Sequence, residues 1–101
     1  MKALMTVVLS AAALLSTGSA LANEALAKKN LCTSCHAVDK KMIGPSFKEI
    51  AAKHKGDAGA EAKLVNAINK GSKGVYGQVP MPPQAKAAAD APALAKWILS
   101  L

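Results

Sequence analysis

Cys32-Thr33-Ser34-Cys35-His36 is the stretch from which the rest of this chain is best read. A C-x-x-C-H run reads as c-type haem attachment. Each thiol adds to one vinyl group, and the two vinyls lie on one side of the macrocycle. A two-residue spacer lets both sulfurs reach them. The adjacent histidine then points its imidazole at the iron from below the ring plane. Three other chemistries use similar residues. A thiol–disulfide exchange site wants a thioredoxin-like βαβ context, and no strand is readable here. A zinc site wants about four ligands, and His54 is the one plausible addition. A plain structural disulfide is the third.

A haem iron held by His36 needs a second ligand from elsewhere in the chain. Met81 lies in Val79-Pro80-Met81-Pro82-Pro83. Prolines on both sides keep the backbone extended and stiff, so a thioether can be held in place without helical support. A methionine filling core space is the plainer reading. Met42 is a rival, but it follows His36 too closely to cross easily to the other ring face. His54 would give bis-histidine ligation, yet it ends an apolar stripe and suits packing better.

Four helices surround these segments. The first is expected at 24–31, with Leu26, Ala27 and Leu31 available to face inward. Gly44-Pro45 breaks the chain after the cysteine segment. Phe47, Ile50, Ala51 and His54 recur at helical spacing, which predicts a short helix over 46–54. Gly56 and Gly59 close it. Glu61, Leu64, Val65 and Ile68 mark a third helix over 60–70, stopped by Gly71. Residues 71–86 carry three glycines and three prolines and form a long loop, which in a small domain is usually functional. The last helix is expected over 91–100. Asp90 is placed to cap it, Pro92 fits its first turn, and Leu94, Trp97, Ile98 and Leu101 form its inward stripe.

Residues 1–22 read as a leader. Met1 and Lys2 are followed by an apolar run from Ala3 to Leu15, small polar residues, and Ala20-Leu21-Ala22. That order is a secretory signal peptide, with cleavage expected after Ala22. A retained membrane anchor would need about 20 apolar residues, more than the run supplies. Residues 23–101 are then one domain in the periplasm or a similar space. So short a chain buries a marginal core and needs a staple, which a bound cofactor supplies. All 13 basic residues are lysines, against six acids. Such a surface steers a protein toward acidic partners, by an attraction that salt screens. With no arginine and three aromatic residues in all, a nucleic-acid partner is not expected.

The pattern resembles the short bacterial class I cytochromes c of the five-fifty-one type. The resemblance covers residues 32–36, Met42-Ile43-Gly44-Pro45-Ser46-Phe47-Lys48, Lys70-Gly71-Ser72, Gly74-Val75-Tyr76-Gly77, Pro80-Met81-Pro82-Pro83 and Leu94-Ala95-Lys96-Trp97-Ile98-Leu99. It implies an all-α class I cytochrome c fold, with about four short helices wrapped around one covalently bound haem c. It implies thioethers at Cys32 and Cys35, with His36 and Met81 as the axial iron ligands. The Pro45 carbonyl would accept a hydrogen bond from His36, Trp97 would pack near a haem propionate, and the Tyr76 hydroxyl could donate to one. Four positions depart from the pattern: Leu31, Ala67, Tyr76 and Gln84.

Iron with both axial positions filled has no vacancy for substrate, so the expected role is one-electron transport rather than catalysis. A haem peroxidase or gas-binding protein would need the Met81 bond to be lost. A thiol oxidoreductase and an electron-entry subunit of a fixed complex are further readings. By resemblance, a quinol-oxidising complex would be the donor. A reductase, peroxidase or terminal oxidase would be the acceptor, met by a monomer without a membrane anchor. Lys40, Lys41, Lys73 and Lys86 flank the haem-binding segments and are the first candidates for docking.

Overall fold

Apolar residues at helical spacing, punctuated by glycine and proline, set the architecture. The computed structural model describes residues 23–101, and the leader expected at 1–22 lies outside them. Helix α1 covers 23–29, α2 Phe47–Lys53, α3 Ala60–Lys70 and α4 Ala91–Leu99. Short 3₁₀ turns sit at Cys32–Ser34 and Ala85–Ala87. The described residues contain no strand, and one isolated antiparallel bridge joins Ser72 to Met81.

Ser46 starts α2. Its backbone is extended, and its hydroxyl oxygen accepts from the Glu49 N–H at 3.0 Å, which satisfies one of the free donors of the first turn. Phe47 and Ile50 then point inward. Helix α3 buries Leu64 and Ile68 on one face and ends at Gly71. Helix α4 buries Leu94, Trp97 and Ile98, with Ala91 and Ala95 between them. These alanines, and Ala27 of α1, are fully enclosed, so backbones approach closely there. Helix α4 packs against both α2 and α3 and is the centre of the core. Each large apolar side chain so buried contributes roughly 1.5–3 kcal/mol.

Several local expectations are corrected. Leu31 does not face inward. Helix α1 stops before it, and Leu31 takes a left-handed backbone that turns the side chain outward, 71% exposed. Leu101 lies beyond the end of α4 and is also exposed; Leu99 packs against the core in its place. Asp90 occupies the cap position of α4 but does not cap it. Capping needs an extended backbone. Residues 85–90 are already coiling into the helix, so Asp90 is helical at φ −96°. Its carboxylate instead accepts from Asn30 Nδ2 at 2.9 Å, tying the end of α1 to the start of α4.

The turn between α2 and α3 is closed by Asp57. Its carboxylate accepts from the Gly59 N–H at 2.9 Å and from Lys63 at 2.8 Å, and His54 Nδ1 lies 3.5 Å away. Lys63 first, then the Gly59 amide, pull the Asp57 pKa from 3.8 to about 2. A carboxyl that titrates low in the folded protein stabilises it above the ordinary value, and the effect is lost as pH falls through about 2. The melting temperature of Asp57→Asn is therefore expected to fall below wild type near neutral pH, the gap closing between 3.8 and about 2. A gap unchanged in strong acid would contradict it.

Candidate haem site

Between the cysteine turn, α2, α3 and the 71–84 loop lies a cleft of about 320 Å³. Its inner wall is apolar: Phe47, Ile50, Leu64, Ile68, Leu94 and Ile98, all core residues, also border it. A small protein that leaves the face of its core open to a cleft gains stability when an apolar body of matching size covers that face.

Cys32 and Cys35 both border the cleft as free thiols. The Cys32 carbonyl accepts from the Cys35 and His36 N–H groups at 3.2 and 3.0 Å, coiling the segment so that all three residues meet the cleft. Burial pushes the Cys32 pKa up and Cys35 adds to it.

His36 is held from several directions. Its Nδ1 lies 2.7 Å from the Pro45 carbonyl. A carbonyl can only accept, so Nδ1 donates its proton there, and Nε2 is the ring nitrogen left for a ligand. Phe47 stacks on the ring at 5.2 Å. Gly44 leaves the space the ring needs: a Cβ there would sit 2.6 Å from Cε1 and 2.9 Å from Nδ1. The Gly44 N–H donates to the Cys35 carbonyl at 2.8 Å, so the backbone on both sides of the ring is fixed.

Met81 borders the same cleft and is half-buried. Its backbone exchanges two hydrogen bonds with Ser72, at 3.0 and 2.7 Å. The approach depends on Gly71. That residue has φ +83°, and a Cβ there would meet the Met81 carbonyl oxygen at 2.5 Å. Gln84 anchors the far end through its N–H to the Ile68 carbonyl at 2.7 Å, while its side-chain amide donates to the Pro82 carbonyl.

Tyr76 borders the cleft too, and its hydroxyl is buried without a hydrogen-bond partner. One other side-chain atom among the described residues shares that condition, Asn69 Oδ1, and Asn69 does not border the cleft. Burial, and then Glu49, push the Tyr76 pKa up, so the hydroxyl stays a donor. Lys53 Nζ lies 5.4 Å from the ring centroid. A buried donor left unpaired costs about 1–3 kcal/mol, a deficit that an acceptor-bearing ligand removes.

The remaining candidates separate clearly. Trp97, expected beside a propionate, does not border the cleft: the α4 stripe buries it in the core, and Phe47 meets its ring edge-on at 5.3 Å. Its connection to His36 runs through Phe47. Neither Met42 nor His54 borders the cleft. Lys40, Lys41, Lys73 and Lys86 are all exposed, and Lys41 and Lys73 lie on its border. Sequence reasoning used Gly44 with Pro45 as the break that ends the irregular stretch after the cysteines, Gly71 as a helix stop and Phe47 as core, and missed what each does at the site. It placed Ser72 in the family pattern but missed its pairing with Met81, since a backbone pairing has no side-chain signature.

Two thiols, a histidine held through Nδ1, a methionine and an unpaired donor around apolar walls fit a flat, apolar, metal-bearing group with acidic corners. A helical shell that ties one such group down through sulfur is a monohaem c-type cytochrome. The comparisons agree. The cytochrome c family model matches residues 20–101. Cytochrome c-551 of Pseudomonas aeruginosa is 50% identical over 94 residues, covering 86% of this chain and 90% of that protein. Cytochrome c-552 of Nitrosomonas europaea is 51% identical over 92 residues, covering 90% and 89%. Its crystal structure superposes with a TM-score of 0.75 over 77% of this chain and 98% of the other. The class 1 cytochrome MtoD of Sideroxydans lithotrophicus, 39% identical, gives 0.65 over 78% and 91%. The chain belongs to the cytochrome c family and is a small class I member of the 551 type, a haem c electron carrier and not an enzyme.

Proposed function

We propose that this protein is a periplasmic shuttle in respiration, with its haem held by thioethers at Cys32 and Cys35 and ligated by His36 and Met81. When bound, the haem supplies a metal centre that accepts and returns one electron. The residues around it do the rest. The Pro45 carbonyl holds the His36 Nδ1 proton, which fixes the ring and strengthens Nε2 as a donor. Met81, a soft and weak donor, favours the ferrous state and raises the potential relative to a second histidine. Tyr76 donates its unpaired hydroxyl to a haem carboxylate. Ligands held by paired backbone need little rearrangement between oxidation states. The apolar wall of α2, α3 and α4 excludes water.

The observation that carries this reading is that His36 and Met81, each fixed by its own backbone partner, border one cleft. The leader at 1–22 fits export, and among the described residues no helix is long and apolar enough to cross a membrane. Larger redox proteins are the partners: a quinol-oxidising complex as donor, and a reductase, peroxidase or terminal oxidase as acceptor.

Visible spectra and intact mass of periplasmic material test the proposal together. The expected result is the mass of residues 23–101 plus one haem, and a thioether-to-iron band at the red end of the oxidised spectrum. A covalent haem without that band would overturn Met81 ligation. A leader still attached would overturn the proposed processing.

A further inference from the structure

The two hydrogen bonds between Ser72 and Met81 close the base of a loop whose tip has little main-chain support. Residues 73–80 make no backbone hydrogen bond with any described residue. Gly74 and Gly77 take positive φ, +77° and +131°, so the tip is flanked by two residues with no side chain to restrain them. A segment with so few bonded main-chain groups opens at low cost. One side chain ties it down. Tyr76, between the two glycines, is half-buried and packs against the core.

Helix α2 supplies the other half of that tie. Lys53 is its last residue, and its ammonium lies 5.4 Å from the Tyr76 ring centroid. At that range a cation is attracted to the face of the ring. Glu49 stands one turn earlier on α2, at the spacing of a helical ion pair. Yet both ion pairs among the described residues are at Asp57, and the Lys53 ammonium lies at the ring instead. Lys53 does not border the cleft, so the contact is made outside the space the haem takes.

The loop ends at Met81, so what holds its tip also holds the methionine. We propose that Lys53 is a positioning residue for Met81: its ammonium pins the Tyr76 ring to α2, keeps the 73–80 loop closed and so keeps the thioether on the iron. This rests on Met81 being an axial ligand. The consequence is a rate. The thioether leaves when the loop opens, so ligand exchange at the iron waits for the Lys53–Tyr76 contact to break.

The test uses the oxidised, haem-loaded protein and a large excess of imidazole. Under that excess the red Met81 band decays at the rate at which the loop opens. Lys53→Gln is expected to speed the decay about threefold, the loss of one exposed cation–ring contact. Lys53→Arg restores the wild-type rate, because a guanidinium serves the ring as well. Lys48→Gln, the same charge change elsewhere on α2, leaves the rate unchanged. The tyrosine shows the route. In a Tyr76→Phe background, which keeps a ring, Lys53→Gln still accelerates exchange. In Tyr76→Leu, which has none, it adds nothing. Equal rates for wild type and Lys53→Gln would overturn the proposal. So would the same acceleration from Lys48→Gln, or from Lys53→Gln in the Tyr76→Leu protein. A wild-type protein with covalent haem but no red band would instead sink Met81 as a ligand.

Discussion

Replacing Met81 by alanine is expected to lower the reduction potential by on the order of 0.2 V, because the axial ligand is the strongest lever a protein has on haem iron. The red band of the oxidised protein should vanish with the thioether. Added imidazole should then bind the oxidised iron, which the intact protein resists. The fold itself should survive. Both hydrogen bonds that hold position 81 run between the backbones of Met81 and Ser72, and alanine keeps them. The prolines on either side and the Gln84 anchor to Ile68 are untouched. Truncating a half-buried methionine should cost about 2 kcal/mol, at the low end for such changes. The readings are a redox titration, the oxidised spectrum, an imidazole titration and far-ultraviolet circular dichroism. A potential and imidazole affinity equal to wild type would mean that Met81 is not a ligand, whatever its place beside the cleft.

The residues that meet at the cleft were legible in the sequence because they are written in local order. Cys32, Cys35 and His36 form one short motif, and Met81 stands out between prolines; all four border the cleft. The helices were legible for the same reason: Phe47 with Ile50, Leu64 with Ile68, and Leu94 with Trp97 and Ile98 lie on single faces. What the sequence hid is the set of contacts that close over long stretches of chain. Asn30 and Asp90 are 60 positions apart and look like two unrelated polar residues. Ser72 meets Met81 through main-chain atoms, which leave no trace in residue type. Trp97 was expected at the cofactor, but Phe47 stands between it and His36, and side-chain layering of that kind is set by packing in three dimensions. Leu31 continues the apolar pattern of α1, yet its backbone reverses hand one residue before Cys32.

Gly44 shows most sharply how a residue read as punctuation can govern the site. Gly44→Ala is expected to destabilise the haem-loaded protein by about 2–3 kcal/mol, combining overpacking with a weakened hydrogen bond. The reason is space, since Gly44 is not among the glycines with positive φ and an alanine could adopt its backbone. The new Cβ would lie 2.6 Å from His36 Cε1 and 2.9 Å from Nδ1, inside any real carbon contact. Neither side can yield cheaply. The ring is pressed by Phe47 at 5.2 Å and tied to Pro45 at 2.7 Å, while the Gly44 N–H is bonded to the Cys35 carbonyl at 2.8 Å. If the ring gives way, Nδ1 loses its acceptor, the imidazole becomes a weaker donor, and the potential should rise. If the backbone gives way, the Cys35 bond stretches and stability falls with little change in potential. Denaturation midpoints with a redox titration separate the two, and the chemical shift of the His36 Nδ1 proton reports the Pro45 bond directly. A Gly44→Ala protein matching wild type in all three would show that the cleft side of His36 is open, and that the close packing around the imidazole does not constrain it.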